Sequence, residues 1–500
     1  MSVQESPSSS AASTSAAKPD GGPAHRPGLI LAFLCLAGFM TFLDVSIVNV
    51  ALPTIEDELH ISQTALQYVV TTYGMLLGGF LLLTGRLADT LGRRRMLQTG
   101  LVLFAVSSLL AGLAQNSAML IGARAGQGLA AAFMATAALS LLTNNFEEGP
   151  ARNKALGVWG ALSGVAAVAG VTLGGLLTDG PGWRWIFFIN VPIGLVGALV
   201  APMIVGESRS AERTRSFDVA GAVVLTAGLI LLIFTLGQTV DDSDVPMARI
   251  YGGFALSALL LIGFLLIERR AAAPLMPLRV FRRPSLRAAN IIAILLLGTC
   301  VSLFFFASLF MQQVLDYSAI TTGLAYVPLA LTTAVGAGIA SQVVTKVAAK
   351  PVLMTGLTLV GTGMLLLWRA PSDAAYLVDL LPAFIICGLG LGASFVPLQI
   401  SAFAGSEEHE SGLAAGLINT SQEIGGALGL AVAATYAFRR IDELEAQSKG
   451  VPELVDQART TVFHDAFLIS AGFAAAGLLV TLVLLPLTKA KDLPTGAPVA

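Results

Sequence analysis

Polar residues are scarce and clustered along this chain. Between the clusters, apolar residues run for about 20 positions at a time, the length a helix needs to cross a bilayer. Fourteen such runs begin near residues 29, 66, 96, 118, 153, 185, 217, 250, 288, 320, 351, 377, 412 and 463, separated by Gly, Pro or charged breaks. The runs are continuous, whereas the strands of a membrane barrel would alternate apolar and polar positions, so the pattern predicts an all-α polytopic membrane protein with 14 transmembrane helices. Longer polar connections are expected around 268–287 and 437–462. Residues 1–28, rich in Ser, Ala and Pro, read as a disordered tail and lack the charged start and short apolar core of a cleaved leader.

Composition and charge then narrow the class. At 55% hydrophobic and 12% charged residues, with a mean hydropathy of +0.78, the chain carries about half the charge of an ordinary soluble domain. A net charge of −2 gives no field that would draw a polyanion, so no nucleic-acid partner is expected and membrane lipid is. Cys35, Cys300 and Cys387 lie far apart in apolar runs, and His25, His60, His409 and His464 are scattered, so neither a disulfide framework nor a metal cluster is expected. With the N-terminal tail placed in the cytoplasm, 21 of the 29 Lys and Arg fall on that side. This asymmetry predicts a cytoplasmic-membrane protein with both termini inside. The exceptions are a bare inner loop, Glu407–Glu410, and an outer connection holding Arg439, Arg440, Lys449 and Arg459.

Several functions are excluded by what the chain lacks. It contains no Gly-Lys dipeptide, hence no phosphate-cradling loop for an ATP-driven pump. Gly388, Gly390 and Gly392 lie inside an apolar run without the strand-to-helix context of a dinucleotide site. No constellation of nucleophile, base and metal ligands marks a membrane enzyme, and no repeated filter marks a channel.

A shift of 256 residues overlays GRLADTLGRRRMLQTG (Gly85–Gly100) on SQVVTKVAAKPVLMTG (Ser341–Gly356), both joining two spans through a basic turn and ending in Thr-Gly. That fits two six-helix halves, 29–205 and 288–487, around a linker, 206–287, that carries two extra helices, with a cytoplasmic tail at 488–500. GRLADTLGRRR, FLDVSIVNVALP (Phe42–Pro53), LIGARAGQG (Leu120–Gly128) and WRWIFFINVPIG (Trp183–Gly194) resemble signatures of the major facilitator superfamily, fourteen-helix drug:proton antiporter subgroup. The resemblance spans about 29–487. It departs in the fifth helix, AGVTLGG (Ala169–Gly175), where Val171 stands at the position the antiport motif gives to Pro, although Gly170, Gly174 and Gly175 are kept. The departure bears on the direction of transport.

Asp44, Arg124 and Glu423 are the charged residues well inside a span, where each costs about 2.5–3.5 kcal/mol to insert, so function is the default explanation. Asp44 shares a helix face with Ala37, Met40, Thr41, Val48 and Ala51. A carboxylate in such surroundings can bind and release protons; the competing reading is a structural group bonded to Asn49 or a neighbouring helix. Arg124 forms a face with Gln127 and Gly128 and needs an acid or several carbonyls as partners, Asp44 among the possible ones. The resemblance implies that this arginine modulates the proton-binding acid. Glu423, with Asn419 and Thr420 on its face, suits a second proton, a cationic substrate or plain hydrogen bonding. Asn49, Gln127, Asn419 and Thr420 are candidates to line a substrate cavity. Gly85, Asp89, Gly92 and Arg93 form a basic turn that the resemblance makes a conformational lock. Trp183 and Trp185 are expected in an interfacial belt.

The expected function is proton-coupled export of amphipathic toxic small molecules, driven by the proton gradient without a cofactor, by a monomer that is not an enzyme. The alternatives are a narrow-specificity metabolite exporter and a transporter-like sensor that does not transport.

Overall fold

A computed structural model describes residues 27–487 apart from 62, 148, 209–217, 242–244, 272–273, 275, 277, 405–409 and 449–451. Of the expected tails, 1–28 and 488–500, only Pro27 and Gly28 are described, and they open the first helix. The described residues are helical and include no strand. The helices are α1 (Pro27–Leu59), α2 (Gln63–Leu91), α3 (Arg93–Gly112), α4 (Ser117–Asn145), α5 (Pro150–Asp179), α6 (Trp185–Phe188), α7 (Asn190–Ile204), α8 (Val219–Asp241) and α9 (Met247–Glu268). After a 3₁₀ turn at Leu278–Arg282 come α10 (Pro284–Gln313), α11 (Ala319–Ala325), α12 (Val327–Val343), α13 (Ala349–Trp368), α14 (Leu381–Phe403), α15 (Ser411–Ser448) and α16 (Pro452–Leu484). A helix stands at each of the fourteen expected places, and eleven among the described residues are long and apolar enough to cross a membrane.

Local sequence explains the joints. Asn116 caps α4 by accepting from the Met119 N–H at 2.9 Å, and Pro150 and Pro284 sit in first turns, where a missing N–H costs nothing. The α2–α3 corner turns on Gly92 at φ 111°, a conformation open to glycine and strained for a side chain. The second copy of the overlaid segment also joins two helices, α12 and α13, there through residues 344–348.

Small residues let backbones approach where lipid tails leave no hydrophobic gain between helices. On the α10–α15 crossing, a Cβ at Gly298 would meet the Gly425 carbonyl and the Gly429 Cα at 3.1–3.2 Å. Helices α1 to α7 pack chiefly on one another, as do α10 to α16, and the two sets meet where α2 lies on α15 and α5 on α12. Helices α8 and α9 pack together, with α8 laid against α2 and α15. A buried apolar cluster of Leu82, Leu225, Leu229, Phe264, Leu413 and Leu417 seals that junction.

Two expectations change. The supposed outer connection at 437–462 is helical for most of its length, because α15 runs to Ser448 and α16 starts at Pro452. Its Arg, Glu, Gln and Ala residues are good helix formers that end an apolar run without ending a helix. Trp183 is fully buried, not interfacial, and only Trp185, at 50% exposure, fits a belt. Glu58 near the end of α1 accepts hydrogen bonds from Trp183 Nε1 and Arg184 Nη1, both at 2.8 Å. Those two bonds, the tryptophan's first, hold the Glu58 carboxyl below its usual range. This staple is therefore intact at neutral pH and opens only as pH falls through that lowered value.

Overpacking the α10–α15 crossing tests the packing account. Gly298→Leu should cost about 1–3 kcal/mol, read as a lower melting temperature in detergent, whereas Gly338→Leu, with open space around its Cβ position, should melt like the wild type.

Candidate functional site

Two buried polar networks stand out in an otherwise apolar body. The first joins α1, α2, α3 and α4. Asp44 on α1 faces inward with Ala37, Met40, Thr41, Val48 and Ala51, all buried, as helical spacing predicts. Arg124 Nη1 donates to Asp44 Oδ2 and, at 2.9 Å, to Gln127 Oε1. Gln127 Nε2 donates to Asp44 Oδ1 and to Ser108 Oγ, each at 2.9 Å. Arg124 Nε donates to the Val69 carbonyl at 3.0 Å, and its guanidinium lies 4.4 Å from the centre of the Tyr73 ring. Tyr73 in turn donates to the Thr41 carbonyl at 3.1 Å, returning the chain of contacts to α1.

Asp44, Arg124 and Gln127 are each at most 1% exposed. Away from water an ion pair survives only if its remaining lone pairs and protons are also satisfied. Here each carboxylate oxygen has a donor and the guanidinium has several partners. The partners of Asp44 are Arg124 and Gln127, and the exposed Asn49 is not among them. Gln127, expected in a substrate cavity, stands inside this network instead. Ser108 was not singled out by sequence, and Tyr73, one of several aromatic residues that could line an apolar cavity, was given no role there. The only signal was two adjacent serines, Ser107 and Ser108, within an apolar run. The glycines of AGVTLGG back this network from α5: a Cβ at Gly170 would strike Ser46 and Ile47, and one at Gly174 the Ile47 carbonyl and Val50, while Gly175 faces open space.

The second network lies where α2 meets α15. Asp89 accepts from Arg93 Nη2 at 2.9 Å and Nε at 3.2 Å. Its two oxygens also accept from the N–H groups of Gly412 and Leu413, both at 3.0 Å. One carboxylate thus caps the N-terminus of α15 across 323 residues of sequence, where backbone donors and the helix dipole favour a negative charge. Gly85 permits this approach, since a Cβ there would collide with the Gly412 carbonyl and the Gly416 Cα. Arg93 Nη1 continues to Ser208 Oγ at 2.6 Å, and Glu207 accepts from the Arg94 N–H at 3.2 Å beside Gly92. Ser411 Oγ shares a hydrogen bond with Ser140 of α4 at 2.8 Å and accepts from Asn144 Nδ2 at 3.1 Å. The four lock residues named from sequence thus come together. Their α15 partners were invisible there because the contacts are backbone N–H groups.

Glu423 lies on α15 opposite Gly78 of α2, whose Cβ position is 3.3 Å from the glutamate Cβ. No hydrogen bond or ion pair joins it to another described residue. On the same face, Asn419 Nδ2 and Thr420 Oγ1 are buried without partners. The bare inner loop also resolves in part: Glu410 pairs with Arg283 at 2.6 Å and reaches Arg279 at 3.9 Å, cations lent by the preceding connection. Among the described residues no group of three or more His, Cys, Asp or Glu could hold a metal ion.

Comparison with known proteins places these features in a family. The sequence profile of the Major Facilitator Superfamily matches residues 34–430. The chain is 37% identical over 423 residues to a puromycin resistance protein of Streptomyces alboniger, covering 83% of each chain. It is 37% identical over 414 residues to a cephamycin export protein of Amycolatopsis lactamdurans, covering 81% of this chain and 84% of that one. A tetracenomycin C resistance and export protein of Streptomyces glaucescens is 31% identical over 426 residues, with 85% and 79% covered. In fold, the human organic anion transporter MFSD10 superposes with a TM-score of 0.64 at 15% identity, covering 92% of this chain and 100% of that one. The proton:xylose symporter XylE gives the same TM-score and identity, covering 93% and 97%. The chain belongs to the Major Facilitator Superfamily, and it is a multi-pass membrane transporter rather than an enzyme.

Proposed function

We propose that this protein is a proton-coupled antiporter that exports amphipathic, antibiotic-like small molecules across the cytoplasmic membrane by alternating access. In this reading fourteen spans form bundles over 29–205 and 288–487 with two helices between them, and both termini face the cytoplasm. The observation that carries the coupling is the buried network of Asp44, Arg124 and Gln127. The names of the relatives, resistance and export proteins for puromycin, cephamycin and tetracenomycin C, support the substrate class.

The chemistry follows from what each partner keeps when a proton arrives. Protonation of Asp44 removes its charge and frees Arg124 from the pair. The guanidinium retains Gln127 Oε1, the Val69 carbonyl and the Tyr73 ring, so the cation is not stranded in an apolar interior. Arg124 thereby keeps partners whether or not Asp44 carries a proton. The network spans α1 to α4, and Gly170 and Gly174 press α5 onto the same stretch of α1, so a shift of α1 reaches α5 and its contact with α12. Glu423, Asn419 and Thr420, with polar groups unclaimed by the protein, offer a cationic or hydrogen-bonding substrate its partners. One charge crossing about 100 mV supplies about 2.3 kcal/mol, which sustains a roughly 50-fold gradient of a neutral substrate.

Asp89 serves as the lock. Its cap on α15 holds the ends of α2 and α15 together and must break for the two sets of helices to part at that end.

Two outcomes follow. In liposomes with an imposed pH gradient, Asp44→Asn should abolish proton-driven export of puromycin while its elution profile stays that of the folded protein; undiminished, uncoupler-sensitive export in the variant would refute the coupling. Asp89→Ala strands two backbone donors and Arg93, a loss of about 2–3 kcal/mol. Spin labels on the exposed Leu91 and Val347 should then move to longer separations, and an unchanged distance distribution would remove the lock.

A further inference from the structure

The connection between α9 and α10, together with the first turn of α10, carries six arginines, Arg269, Arg270, Arg279, Arg282, Arg283 and Arg287. Positive charge beside spans serves orientation in any polytopic protein, but the arrangement here is more specific. Met276, Val280 and Leu286 are buried in the apolar cluster that also holds Leu82 of α2 and Leu413 of α15, so the connection is docked on the body. Nearby acids are used inward. Glu268, 4% exposed, accepts from the Met276 N–H at 2.5 Å, and Asp218 accepts from the Gly221 N–H at 2.8 Å. Glu410 is held by Arg283 at 2.6 Å.

The arginines point the other way. Arg269, Arg270, Arg282 and Arg287 are exposed, and among the described residues no acid pairs with any of them. Their depth is fixed by the spans. Arg269 follows Glu268, the last residue of one span, and Arg283 and Arg287 flank Pro284, the first residue of the next. The connection therefore joins two span ends, the region where lipid phosphates lie.

We propose that this connection is a binding site for anionic phospholipid headgroups, in which Glu410 occupies Arg283 and Arg279 as an internal stand-in for a lipid phosphate. An apolar side fixed to the protein holds the arginines ready, and guanidinium groups suit phosphate oxygens better than point charges do. Because Glu410 lies two residues before Gly412, whose N–H bonds to Asp89, a headgroup that takes Arg283 from Glu410 acts on the α2–α15 contact. This rests only on the connection lying at the membrane surface, and holds whether or not transport is proton-coupled.

The test uses the full chain in detergent, with bound lipid counted by native mass spectrometry. Dioctanoyl phosphatidylglycerol should bind at least about tenfold more tightly than dioctanoyl phosphatidylcholine, a preference that weakens as salt is raised. Replacing Arg269, Arg270, Arg282 and Arg287 together with Gln should remove most of that preference, and Glu410→Gln, which frees two arginines, should strengthen it several-fold. A preference unchanged in the fourfold variant would mean that these arginines serve orientation alone and would overturn the proposal. So would inorganic phosphate displacing the lipid at equal concentration, which would mark a free-anion site. Should the fourfold variant not fold, loss of the Glu410→Gln effect or of the salt dependence decides against it.

Discussion

A charge in a low-dielectric interior must be answered by a geometry that the rest of the protein keeps in place. Asp44 and Arg124 impose that constraint here. Each would be costly alone, and the pair is tolerable because Gln127, Ser108, the Val69 carbonyl and the Tyr73 ring satisfy what the ion pair leaves over. Four helices are thereby tied to one another through polar groups. The same redundancy gives the arginine somewhere to remain when the aspartate is neutral. A network built only for stability would be served as well by apolar side chains.

The second network obeys the same logic with a different anchor. Asp89 answers two kinds of positive group, a guanidinium on its own turn and the start of a helix from the other half of the chain. Whatever moves α15 must find another acceptor for those N–H groups or expose them to water. The α9–α10 connection reaches the same helix end through Arg283 and Glu410, so three charged contacts converge on the first residues of α15. Helix α8, packed on both α2 and α15, braces that convergence from the side.

The fold was largely legible because the bilayer makes the code simple: run length marks a helix and charge inside a run marks an exception. Asp44 and Arg124 could be picked out on that ground, and their pairing was foreseen as one possibility. What escaped was anything set by distance in the fold. Ser108 and Tyr73 are ordinary residues until the helices meet, and no pattern in the sequence links Asp89 to backbone groups of Gly412 and Leu413. Gln127 was placed with the substrate because a buried amide looks the same in a cavity or in an ion-pair network. Asn49, a candidate for the same cavity, lies exposed. The helical extensions toward 448 and from 452 were missed because apolar runs report where lipid ends, and these helices continue beyond it.

The central claim is that Asp44 takes and gives up a proton within the folded protein. Infrared difference spectroscopy of the carboxylic-acid C=O stretch across a pH titration observes that event directly, with Asp44→Asn separating it from Glu423. The account predicts a reversible protonated-carboxyl band in the wild type that is missing from the variant. A titration in which the two proteins give the same bands at every pH would contradict it.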